Sequence, residues 1–377
     1  MNSAVLRAVI AWTHRWAGLA AGLLFCLMGI TGAIVSFRPQ IGLALGPPPS
    51  SVAQCRTVDW NDAQRELEAT TGTRINRVYV PAPGDNDPRY HVRMETPVDA
   101  IYVHLFYDGC AGTLLGGANL QWLDWIVDLH HNVWAGHTGR LVVGAIGVAL
   151  FLSGIGGLTL IVMSAIPLKR FFTIEARGDT RKTLFHLHRS VGAGAAALLL
   201  LQSFTGIWLC YPAMFRVAVG DPAPPRIARP SAARHGDRIA GLGDLMSAAQ
   251  QAVGDGHIRE IRMPDGPGGI VQVRMWRDGD FRSLGNNVVS VDRASARVFN
   301  VDLYEGKPTN DRFLQALAGL HYGEWGGILF RTIYGLFGLA VAPLFLTGAG
   351  YWWLRRRAGA AAASRAPSTV ASAPSQA

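Results

Sequence analysis

The chain has 377 residues, 49% of them hydrophobic and only 16% charged, a balance that excludes an ordinary soluble globular protein. Its net charge of +9 does not call for nucleic acid, because much of the positive charge flanks long apolar runs. Four of those runs reach the roughly 20 residues needed to cross about 30 Å of hydrocarbon.

Residues 1–40 are expected to hold transmembrane helix 1, with an apolar stretch at Ala17–Phe37. That stretch is longer than a signal-peptide core, and Arg38-Pro39 stands where a cleavage site would need small residues, so the helix should stay attached. Residues 41–125 read as a small α+β domain. A helical stretch, NDAQRELEA, precedes the alternating pieces RINRVYVP, RYHVRME and AIYVHLFYDGCAGTLLG, and period-two alternation bounded by Gly, Pro and Asp supports antiparallel strands. Cys55 and Cys110 bracket this segment and are a disulfide candidate in an oxidising compartment, two separate thiols being the alternative. Cys26 and Cys210 lack metal-ligand spacing and read as packing residues.

Residues 126–168 carry transmembrane helix 2 with its outer lead-in, the apolar run being Leu141–Ile166. A loop at 169–188 leads to transmembrane helix 3 at 189–211. Residues 212–320 repeat the α+β pattern: DLMSAAQQAV, then IREIRMP, IVQVRMW and VVSVDRASARVFNV. Transmembrane helix 4 follows at 321–357, and the low-complexity tail 358–377 is expected to be disordered. Arg7, Arg15, Lys169, Arg170, Arg177, Arg181, Lys182 and Arg355–Arg357 flank the spans. The positive-inside rule then puts both termini and the 169–188 loop in the cytoplasm and the two long segments in a bacterial periplasm. The expected location is therefore the inner membrane.

The chain reads as a duplication. His14-Arg15 with Thr31-Gly32 is matched, at identical spacing, by His188-Arg189 with Thr205-Gly206. Leu129-His130, followed by Trp134, Gly136 and Arg140, is matched by Leu320-His321, Trp325, Gly327 and Arg331. Leu152-Ser153-Gly154 and Leu346-Thr347-Gly348 match after a small length adjustment. The expected fold is an integral membrane α-helical protein, a four-helix transmembrane bundle from an internal duplication with two small α+β periplasmic domains.

Ionisable groups in membrane helices carry a desolvation cost and mark pathways or cofactors. Two facing imidazoles walled by glycine suit a flat group, whereas zinc would want three or four ligands. A b-type haem needs two axial ligands and no CxxCH attachment motif, and none is present. The pattern predicts two haem b groups with bis-histidine ligation, one held by His14 and His188 on the inner side and one by His130 and His321 on the outer side. His131, His137 and His186 are alternative ligands. His137 lies two helical turns beyond His130 if that helix is continuous, which would also lift the outer haem toward the periplasmic surface. Arg140 and Arg331 are candidates for haem propionates, with interface anchoring as the alternative. Trp122, Trp125, Trp134, Tyr322 and Trp325 form an aromatic belt, part of which can line an acceptor site.

The strings HRWAGLAAGLLFCLMGITG, LHHNVWAGHTGR, HRSVGAGAAALLLLQSFTG and LHYGEWGGILFR resemble the PepSY-associated transmembrane helix family of iron-regulated bacterial inner-membrane proteins. Segments such as VSVDRASARV resemble its PepSY modules, and the likeness covers about residues 10–357. It implies a di-haem oxidoreductase that reduces a ferric siderophore, such as ferrioxamine, at the periplasmic face and so frees iron. The family's membrane histidines fall on His14, His130, His188 and His321. The chain has no Gly-rich dinucleotide loop between strand and helix, so the electron donor must be a separate cytoplasmic enzyme or quinol. Besides this donor and the ferric-siderophore substrate, membrane lipid is the expected partner. Two other readings compete: a non-enzymatic membrane-anchored PepSY regulator or peptidase-inhibitor module, and a transporter with histidine proton relays. Both predict a colourless protein.

Overall fold

The computed structural model describes residues 2–51, 55–96, 101–164, 166–174, 178–220, 239–264 and 268–364. The first half holds α1 (Ser3–Ser36), α2 (Arg38–Leu45), α3 (Trp60–Thr71), β1 (Ile75–Tyr79), β2 (Arg89–Met94), β3 (Val103–Asp108), β4 (Thr113–Ala118), α4 (Gln121–Asn132) and α5 (Gly136–Val162). After α6 (Leu168–Phe171) come α7 (Thr180–Cys210), α8 (Pro212–Ala218), α9 (Leu242–Ala252), β5 (His257–Arg262), β6 (Ile270–Trp276), β7 (Asn287–Asp292) and β8 (Val298–Asp302). The chain closes with α10 (Thr309–His321), α11 (Gly327–Leu339) and α12 (Val341–Ser364). Four stretches are long and apolar enough to cross a membrane: Ser3–Ser36, Gly136–Val162, Thr180–Cys210 and Gly327–Ala360.

Two compact units divide these elements, one of Met1–Ile30, Ala145–Phe204 and Leu336–Ala377, the other of Thr31–Gly144 and Thr205–Gly335. The first is helical. Phe25, Cys26, Ile146, Ala195, Leu199 and Val341 form its buried cluster, which gives Cys26 the packing role expected of it. A Cβ on Gly29 would lie 2.3 Å from the carbonyl oxygen of Gly338. Backbone contact this close is what small residues allow between membrane helices.

The second unit is built on a sheet. Residues 75–118 and 257–302 do not make separate sheets, as the sequence suggests, but one eight-stranded sheet in the order β4-β3-β2-β1-β5-β6-β7-β8. The reason is an edge: β1 and β5 would each expose unpaired N–H and C=O groups. They pair antiparallel instead, Arg77 opposite Arg262, Val78 opposite Ile261 and Tyr79 opposite Glu260. The strands outside this seam correspond. HVRM in β2 aligns with QVRM in β6, and Val92 opposite Leu105 is echoed by Val273 opposite Val289. Val78, Val92, Met94, Ile261, Val273 and Met275 are wholly buried against Leu67 of α3 and Leu242 and Leu245 of α9. Each such side chain stabilises the fold by about 1.5–3 kcal/mol. Side chains alternate across a strand, so the opposite face receives Arg77, Tyr79, His91, Arg93, His104, Glu260 and Arg274.

Several helix boundaries differ from expectation. The Asp179 carboxylate accepts the Arg181 N–H at 2.8 Å, a cap that starts α7 at Thr180, so the latter part of the expected 169–188 loop is helix. His188 is therefore inside α7. The alanine-rich stretch after Arg357 continues α12 to Ser364, as alanine's helix propensity favours; the rest of the expected disordered tail lies outside the described residues. Nor is the helix continuous from His130 into span two. α4 stops at Asn132, Val133 and Trp134 take left-handed φ of 45° and 58°, and α5 starts afresh. A similar break, with Gly323 at φ 67°, separates α10 from α11.

Two histidine pairs as the candidate functional site

In the helical unit His14 of α1 and His188 of α7 bring their rings to 6.1 Å between centroids. Each ring is held by a neighbouring helix. His14 Nδ1 lies 2.9 Å from the Ser153 carbonyl oxygen and 3.3 Å from its hydroxyl. His188 Nδ1 lies 2.9 Å from the Leu344 carbonyl oxygen and 3.4 Å from the Thr347 hydroxyl. A carbonyl oxygen only accepts, so Nδ1 must carry the hydrogen in both rings, which leaves Nε2 as the basic nitrogen. Glycines make room: a Cβ on Gly157 would sit 3.0 Å from His14 Cε1, and one on Gly348 would sit 3.1 Å from His188 Cε1.

In the sheet-bearing unit His130 and His321 stand 6.4 Å apart. Both end an amphipathic helix, α4 and α10, just before the left-handed breaks. Val133 is β-branched, and a left-handed conformation there stores of order 1–2 kcal/mol. The Thr31 hydroxyl meets His130 Nδ1 at 3.0 Å, and the Thr205 hydroxyl meets His321 Nδ1 at 3.0 Å. Gly32 and Gly206 lie against the two Cε1 atoms, at 2.8 and 3.2 Å from a Cβ built there. The repeated Thr-Gly pair thus has a physical role: a hydroxyl for the imidazole and a gap for its edge.

The alternative ligands fall elsewhere. The break after Asn132 removes the helical register that would put His137 on the face of His130, and His137 is exposed on the first turn of α5. His131 is exposed, with its ring 5.8 Å from that of His130. His186 is half-buried, with Phe185 beside it at 6.0 Å. The two arginines expected to act alike do not. Arg140 is exposed and donates to the Leu209 carbonyl at 2.6 Å. Arg331 is 8% exposed and donates to Gln40 Oε1 at 3.2 Å. Cys55 and Cys110 are joined, their sulfurs 2.07 Å apart. Trp122, Trp125, Trp134 and Trp325 are exposed, and Tyr322 is half-buried. Among the described residues no three His, Cys, Asp or Glu side chains gather as a metal-binding group.

One constellation escaped the sequence. Asp124 of α4, 4% exposed, accepts from Arg38 at 2.6 Å and lies 2.8 Å from His104 Nε2. His104 Nδ1 meets His91 Nε2 at 2.8 Å, and His91 stacks on Phe106 at 4.9 Å. Burial pushes the Asp124 carboxyl upward, but the His104 hydrogen bond and the charges of Arg38 and Arg93 outweigh it, and the net shift is downward. Burial first, then His104, Arg38 and Arg93, hold His91 well below the usual histidine range. The signal available was period-two placement of His91 and His104 in adjacent strand-like pieces.

The PepSY-associated TM region, compared as a family, matches residues 11–355 of the chain. The protein belongs to that family. All four paired histidines lie inside the matched PepSY-associated region. No curated protein matches the chain.

Proposed function

We propose that this PepSY-associated membrane protein is a di-haem b oxidoreductase of the bacterial inner membrane, built by internal duplication, with its sheet-bearing segments in the periplasm and both termini in the cytoplasm. It passes electrons from a cytoplasmic enzyme or quinol to a periplasmic ferric siderophore, whose iron is released as Fe(II). The observation that carries the reading is the four-fold repetition of one arrangement: a histidine whose Nδ1 is bonded and whose Cε1 edge faces a glycine. Two metal–imidazole bonds of about 2 Å each, with the half-widths of two imidazoles, come to roughly 6 Å between ring centres. The separations of 6.1 and 6.4 Å support that fit.

His14 with His188, and His130 with His321, would each ligate through Nε2. The Ser153 and Leu344 carbonyls and the Thr31 and Thr205 hydroxyls would orient the rings and tune their basicity. Bound haem would supply reversible one-electron chemistry, so no nucleophile or general base is required of the chain.

The test is the visible spectrum of the detergent-purified protein, oxidised and dithionite-reduced, with a haem-to-protein ratio. Reduced b-type bands at about two haems per chain are expected, with one lost in His188→Ala and one in His321→Ala. A colourless protein from haem-replete cells would overturn the reading and favour the regulator.

A further inference from the structure

At the seam of the sheet, β1 and β5 set Arg77 directly opposite Arg262. Like charges facing each other across an antiparallel pair destabilise it unless something compensates. The compensation within the chain is thin. Glu260, 2% exposed, pairs with Arg77 at 3.1 Å, Arg262 at 3.5 Å and Arg274 at 3.2 Å. Among the described residues it is the only carboxylate that pairs with any of the three, so three guanidinium groups share one negative charge. Arg77 Nε and Arg262 Nε are buried and have no hydrogen-bond partner among the described residues. An unmade bond on a buried charged group is costly.

The two arginines also border a space. A cavity of about 330 Å³ opens at the seam, lined by Arg77, Arg262, Tyr102 and Gln272 among others. Its size falls at the lower end for small-molecule sites. Tyr102 is itself stacked beneath a fourth guanidinium, that of Arg93, at 3.6 Å. Planar guanidinium forks match carboxylate and phosphate oxygens two at a time, and the phenol and amide add neutral hydrogen-bonding groups.

We propose that this seam cavity binds a small multivalent oxyanion, one bearing at least two carboxylate or phosphate charges, held between Arg77 and Arg262. Such a ligand supplies the counter-charge that Glu260 alone does not. The site lies within one compact unit, and its occupancy does not depend on any cofactor.

Calorimetric titration of the full chain in neutral phosphatidylcholine nanodiscs, at about 25 mM salt, tests it with citrate and with pyrophosphate. One saturable site per chain is expected, weakening steeply with salt. Arg262→Gln and Arg77→Gln should each lower affinity tenfold or more, Arg262→Lys less, and Arg65→Gln, on the exposed side of α3, not at all. Arg262 is the more exposed of the pair, so its variant keeps the test valid if Arg77→Gln fails to fold. Repeating the titration in cardiolipin nanodiscs, whose headgroup carries two phosphate charges, separates a soluble anion from a lipid headgroup as the ligand. Undiminished citrate binding there assigns the site to a soluble ligand, and competitive loss assigns it to a lipid headgroup. No saturable binding of either probe in neutral nanodiscs, or binding untouched by both glutamine variants, overturns the proposal.

Discussion

The two halves of the chain agree in the membrane and disagree on the sheet. Each half supplies one histidine to each pair, and each ring is held by a hydrogen-bonding partner and a glycine from a neighbouring helix. The polar network behind the sheet belongs to the first half alone. Counting from the paired histidines and along the matched strands, Arg38, His91, His104 and Asp124 correspond to Pro212, Gln272, Val288 and Gln315. Four interacting residues are therefore replaced together, and the Cys55–Cys110 bridge has no second copy. The shared features hold the two rings of a pair alike, which the proposed pairwise ligation would need. The unshared ones stabilise or specialise one half.

The largest effect should come from the unshared bridge. It closes a loop with a sequence separation of 55, and replacing both cysteines by serine should cost about 2–4 kcal/mol. Thermal unfolding in detergent measures it. An unchanged midpoint would mean that the first half is held without the bridge, and that the halves differ less than they look. Next in size are Thr31→Val and Thr205→Val. Each removes the hydroxyl from an imidazole of the His130–His321 pair and should cost about 1 kcal/mol. The two losses should be equal within error. A variant tolerated on one side only would break the symmetry that the proposed function requires.

Much of this was legible in the sequence. Four spans, the α+β segments and the histidine pairing follow from apolar length, period-two alternation and identical spacings, because membrane burial and strand pleating impose strong periods. The joining of β1 to β5 was not legible. It depends on two edges far apart in the chain, and nothing local in RINRVYVP or IREIRMP names its neighbour. The break after Asn132 was hidden for another reason: Val133 and Trp134 are not turn residues, and only Gly136 hints at left-handed backbone. The Thr-Gly pair was visible as a repeat but mute as to purpose, since a hydroxyl's partner is set by packing.

The network gives a third prediction, smaller and dependent on pH. His91 is held below its ordinary value near 6.5 by burial and by His104, Arg38 and Arg93, with Tyr79 stacked on its ring at 5.4 Å. The unfolded chain binds its proton more readily than the folded one. The stabilising contribution is thus complete above about pH 6.5 and is lost as pH falls below that toward the depressed folded value. His91→Gln, which copies the residue at 272, should flatten the loss of thermal stability between about pH 7 and 5. An unaltered slope would show that His91 is not the group titrating.

The smallest expected effect discriminates the His14–His188 pair from the His130–His321 pair. Thr31 and Thr205 reach their imidazoles only through side chains, whereas His14 and His188 rest chiefly on the backbone carbonyls of Ser153 and Leu344. Ser153→Ala deletes a hydroxyl 3.3 Å from His14 Nδ1 but leaves the 2.9 Å carbonyl contact intact. It should cost below about 0.5 kcal/mol, measured by thermal unfolding in detergent. A loss as large as that of Thr31→Val would mean that the hydroxyl, not the carbonyl, fixes the His14 tautomer, and that the two pairs are held by one chemistry after all.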